Sequence, residues 1–218
     1  MKILIVKSIL LTWFFSCLIA MPQAFAAPQT PDQYITISGS DCSDTPEGQA
    51  AKNTLNLDCK TYHQTTNYTC GPAVLMTVMQ YYGRFTSADM NPKTELHIAL
   101  EMGATETGTT RNQMTDWLSS KGFSVETGDR IDSKMIIQNL KQNVPTIITV
   151  NHHWILAKGF EQATKSSQET ISFSDSCCGI TVLSSAAIDA LWQASALEKM
   201  HGSNNCTDEG QYIVPRLK

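Results

Sequence analysis

Apolar residues recur with helical spacing in three stretches of this 218-residue chain. Val74, Leu75, Val78, Met79 and Tyr82 fall on one face of a helix that Pro72 suits at its first turn and Gly83 can end. Met114, Trp117 and Leu118 repeat the spacing ahead of Gly122, and Ala187, Ile188, Leu191 and Trp192 repeat it again near the C-terminus. Both tryptophan stripes read as core, not as cofactor boxes. Between these helices the β-branched run from Val144 to Val150 predicts a buried strand, and it leads directly into Asn151 to Ala157, where a histidine arrives at a strand start. A second extended run, Thr170 to Ser174, ends at Asp175, and Gln211 to Val214 predicts a short strand returning to the domain. Residues 27–60 are rich in Asp, Ser, Thr and Gly and read as an extended arm with little helix or strand of its own. No repeat, low-complexity tract or Pro/Ser-rich linker divides residues 61–218, which predicts one domain with a sizeable core.

The N-terminus changes the picture of where the chain works. Lys2 and Lys7 flank the start of an apolar run from Ile3 to Ala20, and Ala24, Phe25 and Ala26 form an Ala-x-Ala site. That order predicts a secretory signal peptide over 1–26, and with it a secreted or periplasmic location and no membrane span in the mature chain. Cys17 lacks the aliphatic and small residues expected before a lipidated cysteine. Losing Lys2 and Lys7 shifts the formal charge from −4 to −6, and no basic stripe interleaved with aromatics occurs, so nucleic acid is not an expected partner. The sequons at Asn67 and Asn205 read as accidental; a glycan at Asn67 would crowd Cys70.

The strongest chemical signal is Cys70. It lies just ahead of the first helix, where unpaired backbone N–H groups and the positive end of the helix dipole favour thiolate over thiol. Gln64, six residues upstream, can bring a side-chain amide beside the Cys70 N–H, so that two donors meet an oxygen that becomes negative during attack on a carbonyl. His153 at the strand start supplies a base, and Asp175 at the end of the next strand a carboxylate to orient it, each on a separate element. His152 leaves the identity of the base open. The bland alternatives are a disulfide-bonded cysteine at a helix start, a structural strand-edge histidine and a turn-forming aspartate.

The remaining cysteines complicate that reading. The chain after residue 26 keeps Cys42, Cys59, Cys70, Cys177, Cys178 and Cys206, and in an oxidising compartment an even count suggests a disulfide framework. With Cys70 free, the expected pairing is Cys42 with Cys59 and Cys206 with one of Cys177 and Cys178. A metal site from Cys177 and Cys178 with His152 and His153 is disfavoured, since adjacent ligands chelate one ion poorly, and no cofactor or metal is expected. A vicinal disulfide acting as a redox switch is a further reading. The threonine-rich stretch from Gly103 to Gly108 lacks a phosphate-loop lysine and reads as a flexible loop lining the cleft.

Three segments together resemble a known family. QTTNYTCGPAVLMTVMQYYG, NVPTIITVNHHWILAKGF and SDSCCGITVLSSAAIDALW look like the motif blocks of the C39 peptidases and C39-like papain-fold proteins, with GTTRNQMTDWLSSKGFSVE and DSKMIIQNLKQNVP fitting the family's two intervening helices. The resemblance runs from about Tyr62 to Trp192. It implies an α+β, papain-like cysteine protease fold whose N-terminal helical half carries the nucleophile and whose C-terminal antiparallel sheet carries His and Asp. It further implies that Gln64 is the oxyanion residue, Cys70 the nucleophile, His153 the base and Asp175 its orienter, acting on a peptide or protein substrate. The chain departs from the family where Asp175 is followed by Ser176 instead of the Pro found in many members, and in the adjacent Cys177 and Cys178. With no second long apolar segment, a fused transporter of the kind that the leader-cutting relatives possess is not expected. A phytochelatin-synthase-like acyl transferase, or a non-catalytic module on the same scaffold with Cys70 oxidised, would carry similar motifs.

Overall fold

The computed structural model describes residues 35–37, through their backbone alone, together with 54–191 and 210–218. Trp192 therefore lies outside the described residues, as do the predicted signal peptide and Cys42 and Cys206. Everything described belongs to a single unit within Pro31–Lys218.

Two short strands precede the first helix, and five of the eight described strands follow the last of the four helices α1 to α4. The first helix, α1 (Cys70–Tyr81), begins at Cys70 as predicted, and Gly83 follows its end with φ of 66°. A one-sided apolar stripe was expected, but every residue from Cys70 to Met79 is buried. Short or apolar residues all round, including Gly71, Ala73 and Thr77, let α1 run through the interior with other elements packed about it. A helix not foreseen from the apolar spacing is α2 (Pro92–Met102), whose moderate periodicity is overshadowed by its end signals. Asn91 accepts the Thr94 N–H at 3.1 Å, Pro92 occupies the first turn, and Gly103 closes the helix in the left-handed conformation. Helices α3 (Arg111–Ser120) and α4 (Ser133–Lys141) fall where expected; Thr110 caps α3 reciprocally with Gln113, and Asp132 caps α4 through the Met135 N–H at 2.7 Å.

Eight strands among the described residues form one antiparallel sheet. In chain order they are β1 (Ile35–Ile37), β2 (Thr54–Asn56), β3 (Phe123–Gly128), β4 (Thr146–Val150), β5 (His153–Glu161), β6 (Thr170–Asp175), β7 (Gly179–Ser184) and β8 (Tyr212–Leu217). Their order across the sheet is β1-β7-β6-β5-β4-β8-β3. All five residues of β4 are buried, as its β-branched run predicts, and the C-terminal strand returns beside it. The arm of residues 27–60 contributes β1 and β2 to this sheet. Beyond the end of β4, β2 takes the vacated edge of β5, pairing Asn56 with Gly159 and Thr54 with Glu161. Residues 185–191 are helical, with Ile188 in the core.

Gly159 shows how tightly β2 is seated. A Cβ there would stand 2.6 Å from the Leu55 carbonyl oxygen and 2.7 Å from Ser172 Oγ, at the register shift between β5 and β6. Gly159→Ala is expected to destabilise the protein by about 1–3 kcal/mol, as overpacking typically does. Urea denaturation checks this; an unchanged midpoint would mean that β2 is not held against β5.

Candidate functional site

Three of the four sequence-predicted residues are linked directly, and the hairpin between β4 and β5 is what selects the histidine. Val150 pairs with His153, leaving Asn151 and His152 as a two-residue turn with φ of 50° and 59°. Positive φ at both central positions is the geometry whose twist matches flanking antiparallel strands. His152 is thereby exposed in the turn, while His153 becomes the first residue of β5. Its Nε2 lies 2.8 Å from Asp175 Oδ1. The second ring nitrogen, Nδ1, remains for the hydrogen bond that His153 makes with the Cys70 sulfur.

Cys70 is 7% exposed. Burial pushes its thiol up, but the His153 hydrogen bond, the backbone amides of Trp154 and Gly71 and the imidazolium charge outweigh burial and hold it below the ordinary thiol value. His153 responds in the opposite sense. Burial favours its neutral form, yet hydrogen bonds and charge from Asp175 and Cys70 raise it to about 10. Both directions favour a thiolate–imidazolium pair over a neutral thiol and imidazole.

Asp175 ends β6 and is buried. Its Oδ1 accepts the Cys177 N–H at 2.8 Å and the Cys178 N–H at 3.2 Å in addition to His153, and Oδ2 accepts the Thr181 hydroxyl at 3.1 Å. Burial disfavours the carboxylate, but the His153 hydrogen bond, the two backbone amides and the imidazolium charge lower its pKa on balance.

Gln64 joins the cluster at one remove. Its Oε1 accepts the Ser176 hydroxyl at 2.8 Å, its Nε2 donates to the Thr66 carbonyl at 2.7 Å, and its backbone N–H donates to the Ser176 carbonyl at 3.0 Å. These contacts fix which way the amide faces and leave one N–H of Nε2 for another acceptor. Ser176, noted in the sequence only as a departure, therefore ties Gln64 to the residue next to Asp175.

Glu95 on α2 is the residue that sequence reasoning missed. It is fully buried, and its carboxylate accepts the Tyr62 hydroxyl at 3.1 Å, the Thr65 N–H at 2.9 Å, the Thr65 hydroxyl at 2.8 Å and the Thr69 hydroxyl. Among the described residues no cation pairs with it; four donors from the loop do. That loop spans Gln64 and ends at Cys70, so Glu95 fixes the path between them. The signals that reveal α2, Asn91 with Pro92 ahead and Gly103 behind, would have placed Glu95 in its first turn. On the opposite wall, the Trp154 indole donates to the Thr109 carbonyl at 2.9 Å. The stretch from Gly103 to Thr109 is thus anchored beside Gly71, where a Cβ would come within 3.0 Å of Thr109.

The expected pairings run through Cys42 and Cys206, which lie outside the described residues. Cys59, Cys70, Cys177 and Cys178 are all free thiols. Cys59 sits in the core, where burial pushes its thiol up to about 12, while Cys177 and Cys178 are exposed on the turn after Asp175. Among the described residues, no group of three or more His, Cys, Asp and Glu is placed to hold a metal ion, and no helix is long and apolar enough to cross a membrane.

A mixed helix and antiparallel-sheet domain with a cysteine at a helix start facing a histidine and a buried aspartate defines a recognisable class. Residues 56–181, more than half of the chain, match the model of the Peptidase_C39 like family, and the chain belongs to that family of cysteine peptidases. A double glycine motif protease from an AMS/PCAT transporter, solved with its leader peptide, is similar in structure, with a TM-score of 0.50 and 14% identity over 75% of this chain and 95% of that one. The peptidase domain of Streptococcus ComA gives a TM-score of 0.48 and 16% identity, covering 73% and 99% of the two chains. A C39-like peptidase described from Bacillus anthracis gives 0.47 and 9%, covering 77% and 99%. No curated protein matches the chain in sequence.

Glu95→Gln keeps the shape of the side chain but removes the charge and one acceptor, which leaves buried donors unmatched. A stability loss of about 1.5–3 kcal/mol is expected, the range for hydrogen bonds to a charged group. Urea denaturation of the purified variant measures it; a loss below about 0.5 kcal/mol would show that the loop holds itself without the carboxylate.

Proposed function

We propose that this chain is a secreted cysteine peptidase of papain-like fold, which cuts an amide bond by acyl transfer through Cys70, His153, Asp175 and Gln64. The observation that carries the reading is Cys70 at the start of α1 with its thiol lowered by His153, whose Nε2 meets Asp175 Oδ1 at 2.8 Å. The Cys70 thiolate attacks the scissile carbonyl carbon, and the carbonyl electron pair moves onto oxygen. The remaining N–H of Gln64 Nε2 and the backbone N–H of Cys70 stabilise that oxyanion. His153 then gives its proton to the departing amine, leaving an acyl-enzyme and a neutral imidazole. Water, deprotonated by His153, attacks the acyl carbon and regenerates the thiolate–imidazolium pair. Asp175 holds the ring in the orientation both transfers need.

The free thiol at Cys70 favours this reading over an oxidised, non-catalytic module. Secretion is supported by the charged, apolar and Ala-x-Ala order of residues 1–26. The substrate is a peptide or protein segment, and the double-glycine leader of the structural relatives is one class to try.

Digestion of a peptide library by the mature protein, read by mass spectrometry, tests the activity. Wild type is expected to cut and Cys70→Ala to be inert, with Gln64→Ala slower by about a hundredfold or more in kcat. Products that persist in Cys70→Ala would remove the nucleophile, and unchanged turnover in Gln64→Ala would remove the oxyanion role.

The pH dependence of cleavage follows from the same pair. His153 must keep its proton to release the amine, so kcat/KM should fall as pH rises through about 10. Cys70 must have lost its proton, so the acid limb should lie below the ordinary thiol value of about 8.5. A profile that rises only above about 8.5 would contradict the pairing.

A further inference from the structure

We infer that Cys177 and Cys178 form a redox-modification site that takes low-molecular-weight disulfides, closes to a vicinal disulfide, and in closing withdraws the backbone donors that hold Asp175. The consequence for Cys70 rests on the catalytic reading above; the thiol chemistry does not.

Placement makes the argument. Asp175 pairs with Gly179 across the turn from β6 to β7, leaving Ser176, Cys177 and Cys178 as a three-residue loop that Gly179 completes with φ of 89°. Both cysteines are exposed free thiols on adjacent residues. Their backbone N–H groups converge on Asp175 Oδ1, the same oxygen that meets His153 Nε2. Thiol chemistry on this pair therefore acts on the geometry of that carboxylate.

With an oxidised glutathione-type disulfide as the oxidant, one cysteine thiolate attacks a disulfide sulfur and releases one small thiol, leaving a mixed disulfide on the protein. The neighbouring thiolate then attacks the protein-bound sulfur, forms the vicinal bond and releases the second small thiol. Two protein thiols lose two electrons, the small disulfide gains them, and the two protons pass to the released thiolates. Adjacent Cα atoms lie about 3.8 Å apart across a trans peptide, whereas disulfides usually need about 4.4–6.8 Å. The backbone from Cys177 to Cys178 must therefore distort to close the ring, and the N–H groups on those two residues turn away from Asp175. Such a strained bond is easily reduced, which makes the modification reversible.

The test treats the reduced mature protein, and a Cys177→Ser/Cys178→Ser variant, with oxidised glutathione. Peptide mass spectrometry then maps the products, and the rate constant for iodoacetamide alkylation is followed on those Cys70 thiols that remain free. The wild-type peptide spanning Cys177 and Cys178 is expected to lose two hydrogens, and the free Cys70 fraction to alkylate at least about tenfold more slowly than before oxidation, with recovery on reduction. The variant should keep the rate that it has before treatment. Glutathione adducts alone, a disulfide from either cysteine to another residue, or a vicinal disulfide that leaves the Cys70 rate unchanged would each overturn the inference. If Cys70 alkylates no faster than an ordinary thiol before any oxidation, it is the catalytic reading that fails, and the mapped peptide still decides the vicinal disulfide.

Discussion

A buried carboxylate must have its oxygens satisfied to stay ionised, and Asp175 meets that constraint in a way that organises its surroundings. Its two oxygens collect His153 Nε2, the backbone amides of Cys177 and Cys178 and the Thr181 hydroxyl. Satisfied in this way it stays ionised despite burial, and an ionised carboxylate is what lifts His153 to about 10. The raised imidazole in turn makes the Cys70 thiolate favourable in a buried position where a lone thiol would be pushed the other way. Each ionisation depends on the next, and the last link is a backbone turn.

The same logic recurs on the other side of the cysteine. Glu95 is a second buried acid, and it too is held by loop donors, from Tyr62, Thr65 and Thr69. One carboxylate therefore shapes the segment leading into Cys70 while the other shapes the segment after β6, and Ser176 joins the two through Gln64. A cysteine at the start of a helix buried from Cys70 to Met79 cannot easily shift, so the variables are the loops on either side, and buried acids fix both. This arrangement concentrates the precision of the site in contacts made by short polar side chains and backbone.

Much of this was legible from the chain because the relevant signals are local. Cys70 ahead of an apolar helix, a β-branched strand running into His153, and an extended run ending at Asp175 are patterns of a few residues each, and the elements formed where those patterns lie. What stayed hidden depends on pairing between distant residues. Glu95 is an ordinary acidic residue in its own helix, and only the approach of residues 62–69, some 30 positions away, gives it four donors. Ser176 similarly acquires meaning only when Gln64 arrives, 112 positions away. The choice between His152 and His153 needed the register of β4 against β5, which assigns one residue to the turn and the other to the strand. Cysteine pairing was the least legible feature, since a count of cysteines does not say which lie in the core, as Cys59 does, and which lie exposed on a turn, as Cys177 and Cys178 do.

The central claim is that Cys70 and His153 form an ion pair sustained by Asp175. Its most direct measurement is the ultraviolet thiolate absorbance of Cys70, taken as the difference between wild type and Cys70→Ala while pH is raised from acid to alkaline. The account predicts that the absorbance is already present at neutral pH, that it is lost only on acidification well below the ordinary thiol value of about 8.5, and that Asp175→Asn moves the transition upward. A single rise near about 8.5, indifferent to Asp175, would contradict it.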